Sequence, residues 1–145
     1  MSRLEQIWIK RMKRGPMDPV SRAQLKAGRG IVGNANQRGK RQVTLLSHRH
    51  WLELTSSLAE PIDPQKRRAN LLISDVDLRD SRGKVLAIGA VRIRLFGDTR
   101  PCEQMEAAAP GLQAAMSIPY GGGAFGEVLD DGEIAVGDPV AFVES

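Results

Sequence analysis

The chain has 145 residues, 41% hydrophobic and 26% charged, which is the balance of a folded domain rather than of a disordered or membrane-embedded chain. Its single cysteine excludes an internal disulfide framework, and Met1–Arg14 lacks the apolar centre of a signal peptide. We therefore expect one cytoplasmic domain over residues 1–145 that makes no membrane contact. The net charge of +4 suggests an anionic partner, with nucleic acid, a phosphate-bearing cofactor and simple solvated loops all open as explanations.

The first third of the chain alternates apolar segments with turns. Leu4–Lys10 predicts a strand, and Gly15–Pro19 predicts a turn or an irregular connection. Gly28–Asn34 contains three glycines, but without a clear strand before it or a helix after it. It therefore favours positive-φ turns or close backbone approach over a dinucleotide-binding loop.

A strand and then a helix follow. Arg41–Ser47 is β-branched and apolar at its centre, which predicts a strand. His48–Leu58 changes to helical spacing, with the preceding serine as its N-cap. We predict Trp51 to be a core residue, and His48 and His50 to be surface residues. The two histidines are not expected to share a metal ion, because alternate positions on a helix point in different directions.

The rest of the chain contains further short strands. Asp130–Gly132 predicts a hairpin turn rather than a pair of catalytic carboxylates, and Cys102–Met116 has short helical stretches. Many short strands between turns predict a mainly β, barrel-like single domain with a few short helices. The predicted strands are Asn70–Ser74, Lys84–Ile88, Ala90–Phe96, Phe125–Leu129, Glu133–Val136 and Pro139–Val143.

Cys102 is the chain's only thiol, and it follows Arg100 and Pro101 at a turn. Proline fixes its own φ and biases the preceding residue toward an extended conformation, so the backbone at the thiol is constrained. A nearby guanidinium favours the thiolate, which is the form that binds metals and attacks sulfur. From these residues alone, core filler, metal ligand and nucleophile all stay open.

Several motifs in order resemble the MOSC domain family, which is named for the C-terminal domain of molybdenum cofactor sulfurases. No single motif is specific, but their order and spacing are family-like over nearly the whole chain. The motifs are Arg41–Leu46, Arg68–Ile73, Leu86–Gly89, Thr99–Met105, Gly122–Ala124, Val128–Leu129 and Gly132–Asp138.

The resemblance implies a compact β-rich barrel with a cysteine beside a cleft. It implies that Cys102 is a molybdenum ligand, or holds sulfur as a persulfide, because a soft thiolate suits both roles. Arg68 and Asn70 match an Arg-x-Asn motif that lines the cofactor site of amidoxime reductases in the family. Thr99 and Arg100 would then surround the ligand cysteine, and the bound group would be the anionic molybdenum cofactor (molybdopterin).

Three functions follow as hypotheses. The first is a molybdenum-cofactor protein that supports reduction of N-hydroxylated compounds, with separate electron-transfer partners because the chain has no room for such a domain. The second is a persulfide carrier that is loaded by a sulfur donor and serves a partner enzyme. The third is a basic barrel that binds nucleic acid, which the aromatic content of 4% disfavours because single-strand binders use stacking platforms.

Overall fold

The computed structural model describes residues 2–12, 15–35, 37–56, 69–79, 81–99 and 123–143. These residues form eleven strands and one helix. The elements are β1 (Leu4–Lys10), β2 (Met17–Val20), β3 (Arg22–Lys26), β4 (Gly30–Ile31), β5 (Val43–Ser47), α1 (His48–Thr55), β6 (Leu71–Ile73), β7 (Val85–Ile88), β8 (Val91–Asp98), β9 (Ala124–Val128), β10 (Gly132–Ala135) and β11 (Val140–Val143).

Eight strands form one sheet in the order β11-β7-β8-β9-β5-β6-β1-β2, and β10-β3-β4 form a second sheet. The large sheet curls until β11 meets the start of β1, where Val140 N donates to Ser2 O at 3.0 Å and Leu4 N donates to Asp138 O at 2.9 Å. This meeting pairs the start of β11, the strand at one end of the sheet, while β2 is the strand at the other end. The prediction of a mainly β fold is confirmed.

Alternating side chains fill the inside of the large sheet. In β8, Val91, Ile93 and Leu95 are fully buried, whereas Arg92 is exposed and Arg94 half-buried, as the period-two pattern predicts. These residues belong to a contiguous aliphatic core that draws side chains from strands of both sheets. The scarcity of aromatic residues is therefore matched by an interior of leucine, isoleucine and valine.

A second, smaller apolar cluster lies on the other face of the large sheet, under α1. Trp51 of the helix is fully buried there with Leu46 and Leu72, neighbours on β5 and β6, which confirms Trp51 as a core residue. The helix begins where predicted: Ser47 is its N-cap and accepts from His50 N at 3.4 Å. The helix ends at Thr55, with Ser56 as its C-cap, and the last two residues of the predicted helix, Ser57 and Leu58, lie outside the described residues.

The strands β5 and β6 are the parallel pair in an otherwise antiparallel sheet. Parallel neighbours need a long crossover connection, and here α1 begins that connection. Because both strands run the same way, Thr44 and Asn70 lie side by side at their beginnings, while α1 and Ser74 lie at their ends. The two ends of this pair carry the two polar sites described below.

Two local predictions are wrong. Gly15–Pro19 was expected to be a turn or an irregular connection, but its residues from Met17 onward belong to strand β2. Pro19 is tolerated there because β2 is the outer strand of the sheet, where its missing N–H costs no ladder bond. Asp130–Gly132 is a turn but not a hairpin, since β10 pairs with β3 rather than with β9. Strand β3 (Arg22–Lys26), which is the strand that pairs with β10, was not predicted from the sequence.

Gly123 provides a direct test of the close packing between β5 and the segment that enters β9. It has φ +95°, and a Cβ built there would lie 2.1 Å from the backbone oxygen of Leu45. We expect Gly123→Ala to lower the free energy of unfolding by about 2–5 kcal/mol, since left-handed strain and a backbone clash add. The measurement is urea unfolding of the purified variant.

Gly137→Ala is the matched control. This glycine has φ +100°, but nothing lies within 4 Å of the position that a Cβ would take, so only the strain of about 1–2 kcal/mol applies. Equal losses in the two variants would show that the close approach of Gly123 to β5 is wrong.

Candidate functional site

The side-chain amide of Asn70 joins three elements at the beginning of β6. Its Oδ1 accepts from the backbone N and the Oγ1 of Thr44, at 3.1 and 3.2 Å. Its Nδ2 donates to the carbonyl of Trp8 and to Oδ1 of Asn34, both at 3.1 Å. Both amide N–H groups are thus engaged, and Asn70 is only 5% exposed.

Asn34 extends this network into the loop after β4. Its Oδ1 also accepts from Lys10 N at 2.9 Å, and its backbone N donates to Ile31 O at 3.0 Å. The carbonyl of Asn34 receives a bond from Gln37 Nε2 at 2.9 Å. Asn34 is as deeply buried as Asn70, and the loop is fixed to β1 both by its side-chain amide and by the backbone bond from Ala35 N to Lys10 O.

Sequence reasoning did not find Asn34. The feature of the sequence that could have indicated it is the glycine-rich segment Gly28–Asn34, in which all three glycines have positive φ. That confirms the prediction of positive-φ turns. The turns return the chain to β1, where an amide side chain can meet both Lys10 and Asn70.

Thr99 forms the second fixed point, at the end of β8. Its N donates to Gly123 O at 3.0 Å, and the residue is 2% exposed. The segment 100–122, which includes Cys102, therefore leaves and re-enters the described fold at two hydrogen-bonded residues. Cys102 is three residues beyond a buried anchor.

Arg68, Arg100 and Cys102 lie outside the described residues. Their convergence with Asn70 on one cleft stays a prediction, as do the cofactor-binding roles of Asn70 and Thr99. The structure fixes where the flanking residues stand: Thr99 follows β8 and Asn70 precedes β6, with β9 and β5 between those strands.

The reach of the chain can be compared with this spacing. Three strand spacings of about 4.8 Å and two residue steps of about 3.3 Å put Thr99 and Asn70 roughly 16 Å apart along the sheet. Cys102 can reach about 10 Å from Thr99, and Arg68 about 7 Å from Asn70. Side chains from the two segments can therefore meet.

The opposite ends of β5 and β6 border a separate polar cleft of about 160 Å³. Arg79 makes two side-chain hydrogen bonds to Asp77, at 3.0 and 3.1 Å, and these bonds lower the pKa of Asp77. His50 also borders it, and His48 lies outside it and contacts Glu5 at 2.5 Å. The lining residues are Ser47, Arg49, His50, Glu53, Asp75, Val76, Asp77 and Arg79.

His50 is half-buried in this cleft rather than free on the surface. Burial lowers the pKa of His50 below its usual 6.5, and the neighbouring Arg79 lowers it further, against the opposing charges of Glu53 and Asp77. Among the described residues, no group of three or more His, Cys, Asp or Glu side chains is placed to hold a metal ion.

The Asp130–Asp131 pair takes no part in either site. Asp130 receives a two-pronged contact from Arg92, with Oδ2 2.9 Å from Nε, and this bonding lowers the pKa of Asp130. Asp131 accepts from Ala27 N at 2.8 Å. Both carboxylates are engaged in structural hydrogen bonds, although the hairpin predicted for this segment does not form. Within the described residues, no helix is long and apolar enough to cross a membrane.

Comparison with known proteins identifies the family to which this fold belongs. The MOSC domain model matches residues 22–141, which is most of the chain. No curated protein matches the sequence. The architecture is that of a β-rich MOSC fold, and the chain belongs to the MOSC domain family.

Solved structures with the same fold include the YuaD protein from Bacillus subtilis, with a TM-score of 0.77 and 19% identity over 97% of this chain and 94% of that one. YiiM from Geobacillus stearothermophilus has a TM-score of 0.76 and 16% identity over 99% of this chain and 76% of its own. YiiM from Escherichia coli has a TM-score of 0.70 and 15% identity, over 99% and 70%.

The structural role of Asn70 is testable. Asn70→Ala leaves Trp8 O, Asn34 Oδ1 and Thr44 N without that partner, so we expect a loss of about 2–3 kcal/mol in the free energy of unfolding. Thr44→Val is the control. It removes one hydroxyl, but the backbone N of Asn70 still donates to the carbonyl of Thr44, so we expect a loss under about 1 kcal/mol in the free energy of unfolding. A fully stable Asn70→Ala protein would contradict the network.

The lowered pKa of His50 predicts a pH dependence of stability. Below pH 6.5 the unfolded chain takes up a proton that the folded protein does not, so the stability must fall as the pH falls through 6.5. We expect His50→Gln to reduce the slope of the free energy of unfolding against pH below pH 6.5 and to leave the alkaline part of that curve unchanged. Denaturant unfolding at a series of pH values measures this free energy, and an unaltered slope in the variant would refute the lowered pKa of His50.

Proposed function

We propose that this protein binds the molybdenum cofactor, with Cys102 as the molybdenum ligand or as the carrier of a persulfide sulfur. The observation that carries the proposal is the MOSC family match, which spans both anchors, Asn70 and Thr99. Membership of the MOSC family does not depend on this proposal.

The donor set suits this cofactor chemically. A thiolate is a soft ligand, suited to a soft metal in a sulfur-rich group, and Cys102 is the chain's only thiol. Arg68 and Arg100 are permanent cations that match a phosphate, and their guanidinium groups favour the thiolate form of a neighbouring cysteine. When bound, the cofactor would supply a metal centre for two-electron oxygen or sulfur transfer.

The chain's own residues divide into two roles in this proposal. Arg68, Arg100 and Cys102 contact the cofactor. Asn70 and Thr99 position them, because the amide of Asn70 is engaged by Thr44, Trp8 and Asn34, and Thr99 is buried beside Gly123. This assigns Asn70 a positioning role where the family resemblance implied a direct contact.

The sulfur-carrier role keeps Cys102 as the reactive residue and differs in the group that Cys102 holds. A persulfide needs a thiolate and a donor protein, but no lasting pterin contact. Reduction of N-hydroxylated compounds would instead require electrons from a separate protein. The two versions therefore share Cys102 and differ in what co-purifies with it.

The test is Cys102→Ser, with Arg82→Gln as a control that removes a cation from an exposed turn. We expect the serine variant to keep its melting temperature and to lose all bound molybdenum or sulfur, since oxygen replaces neither ligand. Intact-protein mass spectrometry and metal analysis, on protein from a cofactor-producing host, read out the loading.

Wild-type protein carrying molybdenum and pterin would support the ligand role, and a mass increase of one sulfur atom would support the carrier role. Arg82→Gln should load like the wild type. If Cys102→Ser loads normally but melts early, Cys102 is a core residue and the proposal is wrong.

A further inference from the structure

The loop between β3 and β5 concentrates positive charge. Residues 27–42 contain Arg29, Arg38, Lys40 and Arg41 and no aspartate or glutamate, so this stretch carries as much net charge as the whole chain, +4. All four basic side chains are exposed. Within the described ranges, none of them makes an ion pair, whereas Arg11, Arg22, Arg49, Arg79 and Arg92 each pair with a carboxylate.

Buried and hydrogen-bonded groups hold this loop in shape. Gln42, which is 2% exposed, donates from Nε2 to Gly39 O at 2.8 Å and accepts from Val128 N at 3.0 Å. Gly28 N donates to the carbonyl of the same Val128 at 2.9 Å. The two ends of the basic stretch are therefore fixed to one residue of β9, which places Gly28 and Gln42, the chain neighbours of Arg29 and Arg41, close together.

Arg38 joins the two halves of this loop. Its N donates to Arg29 O at 2.8 Å, and its φ is +62°, the one positive value found for a non-glycine among the described residues. A left-handed conformation costs an arginine about 1–2 kcal/mol relative to glycine. The chain keeps a long cation at a position where glycine would be more stable.

Exposed apolar side chains lie in and near the same loop. Val32 lies within the loop and is 49% exposed, and Met12, two residues beyond the end of β1, is 66% exposed. A Cβ on Gly33, the neighbour of Val32, would lie 3.4 Å from the guanidinium of Arg11, the neighbour of Met12. Arginine beside exposed apolar groups is a composition typical of protein interfaces.

We propose that Arg29, Arg38, Lys40 and Arg41, with Val32, form a docking surface for an acidic protein partner. We call this set the basic loop surface. Its cations match carboxylates, and arginine binds carboxylates in a two-pronged geometry that a prearranged loop favours. The same loop contains Asn34, which contacts Asn70 directly, so the partner would dock beside the candidate site.

A protein fits this surface better than a nucleic acid does. Residues 27–42 contain no aromatic side chain on which a base can stack. An exposed valine among the cations adds apolar contact that a phosphate backbone does not use. We identify the partner with the electron or sulfur donor only on the basis of the proposed function. The docking of an acidic protein does not depend on that function.

The test uses two fluorescent peptides of equal charge, one of Glu-Glu-Leu repeats and one of Glu-Glu-Ser repeats, with the full chain. R29Q/R38G/R41Q removes three charges from the basic loop surface, and R22Q/R82Q/K84Q removes three from elsewhere as the control. By anisotropy at low salt, we expect the loop variant to bind about tenfold or more weakly and the control within about threefold of the wild type.

Several readouts keep the result interpretable. Arg38→Gly relieves the left-handed strain, so the loop variant should melt no lower than the wild type, and weaker binding would not reflect unfolding. Val32→Ser should remove any preference for the leucine peptide. Cys102→Ser should bind both peptides normally, which separates failure of the docking proposal from failure of the proposed function.

Equal losses in the loop variant and the control would show a general charge effect and overturn the proposal, as would unchanged binding in both. A single-stranded or duplex oligonucleotide that binds the basic loop surface more tightly than the peptides would also overturn it, by making nucleic acid the better occupant.

Discussion

The amide of Asn70 is the interaction on which the site's geometry depends. It ties the beginning of β6 to Thr44 of β5, to Trp8 of β1 and to Asn34 of the loop after β4. An unpaired amide buried to this depth would cost about 1–3 kcal/mol, so the network tolerates few alternatives. It also couples two surfaces, because Asn34 belongs to the loop that carries the exposed arginines.

The described residues nearest to the proposed site are firmly held. Asn70 and Thr99 are buried and hydrogen-bonded, and the residues proposed to contact a cofactor lie within three positions of them along the chain. Rigid strands that deliver reactive side chains on short connections are a common way to place a site. The cleft at the other end of β5 and β6 is built differently, from paired arginines and carboxylates around His50.

The sequence predicted well what depends on local periodicity. Leu4–Lys10, the alternation along β8 and the Ser47 cap all follow from spacing within one element. It failed where pairing is distant in sequence: β3 forms because β10 supplies its partner more than a hundred residues later, and Asn34 matters because Asn70 meets it. Cys102 and the other cofactor residues were suggested by family motifs rather than by periodicity.

We propose that the segments beyond Asn70 and Thr99 bring one thiol and a pair of arginines to one cleft. A crystal structure with the cofactor bound gives the decisive distance, between Cys102 Sγ and the Arg68 guanidinium. We expect a separation of about 10 Å or less, because the two segments, with a reach of about 10 and 7 Å, can span the space between Thr99 and Asn70. Cys102 and Arg68 on opposite faces of the large sheet would contradict it.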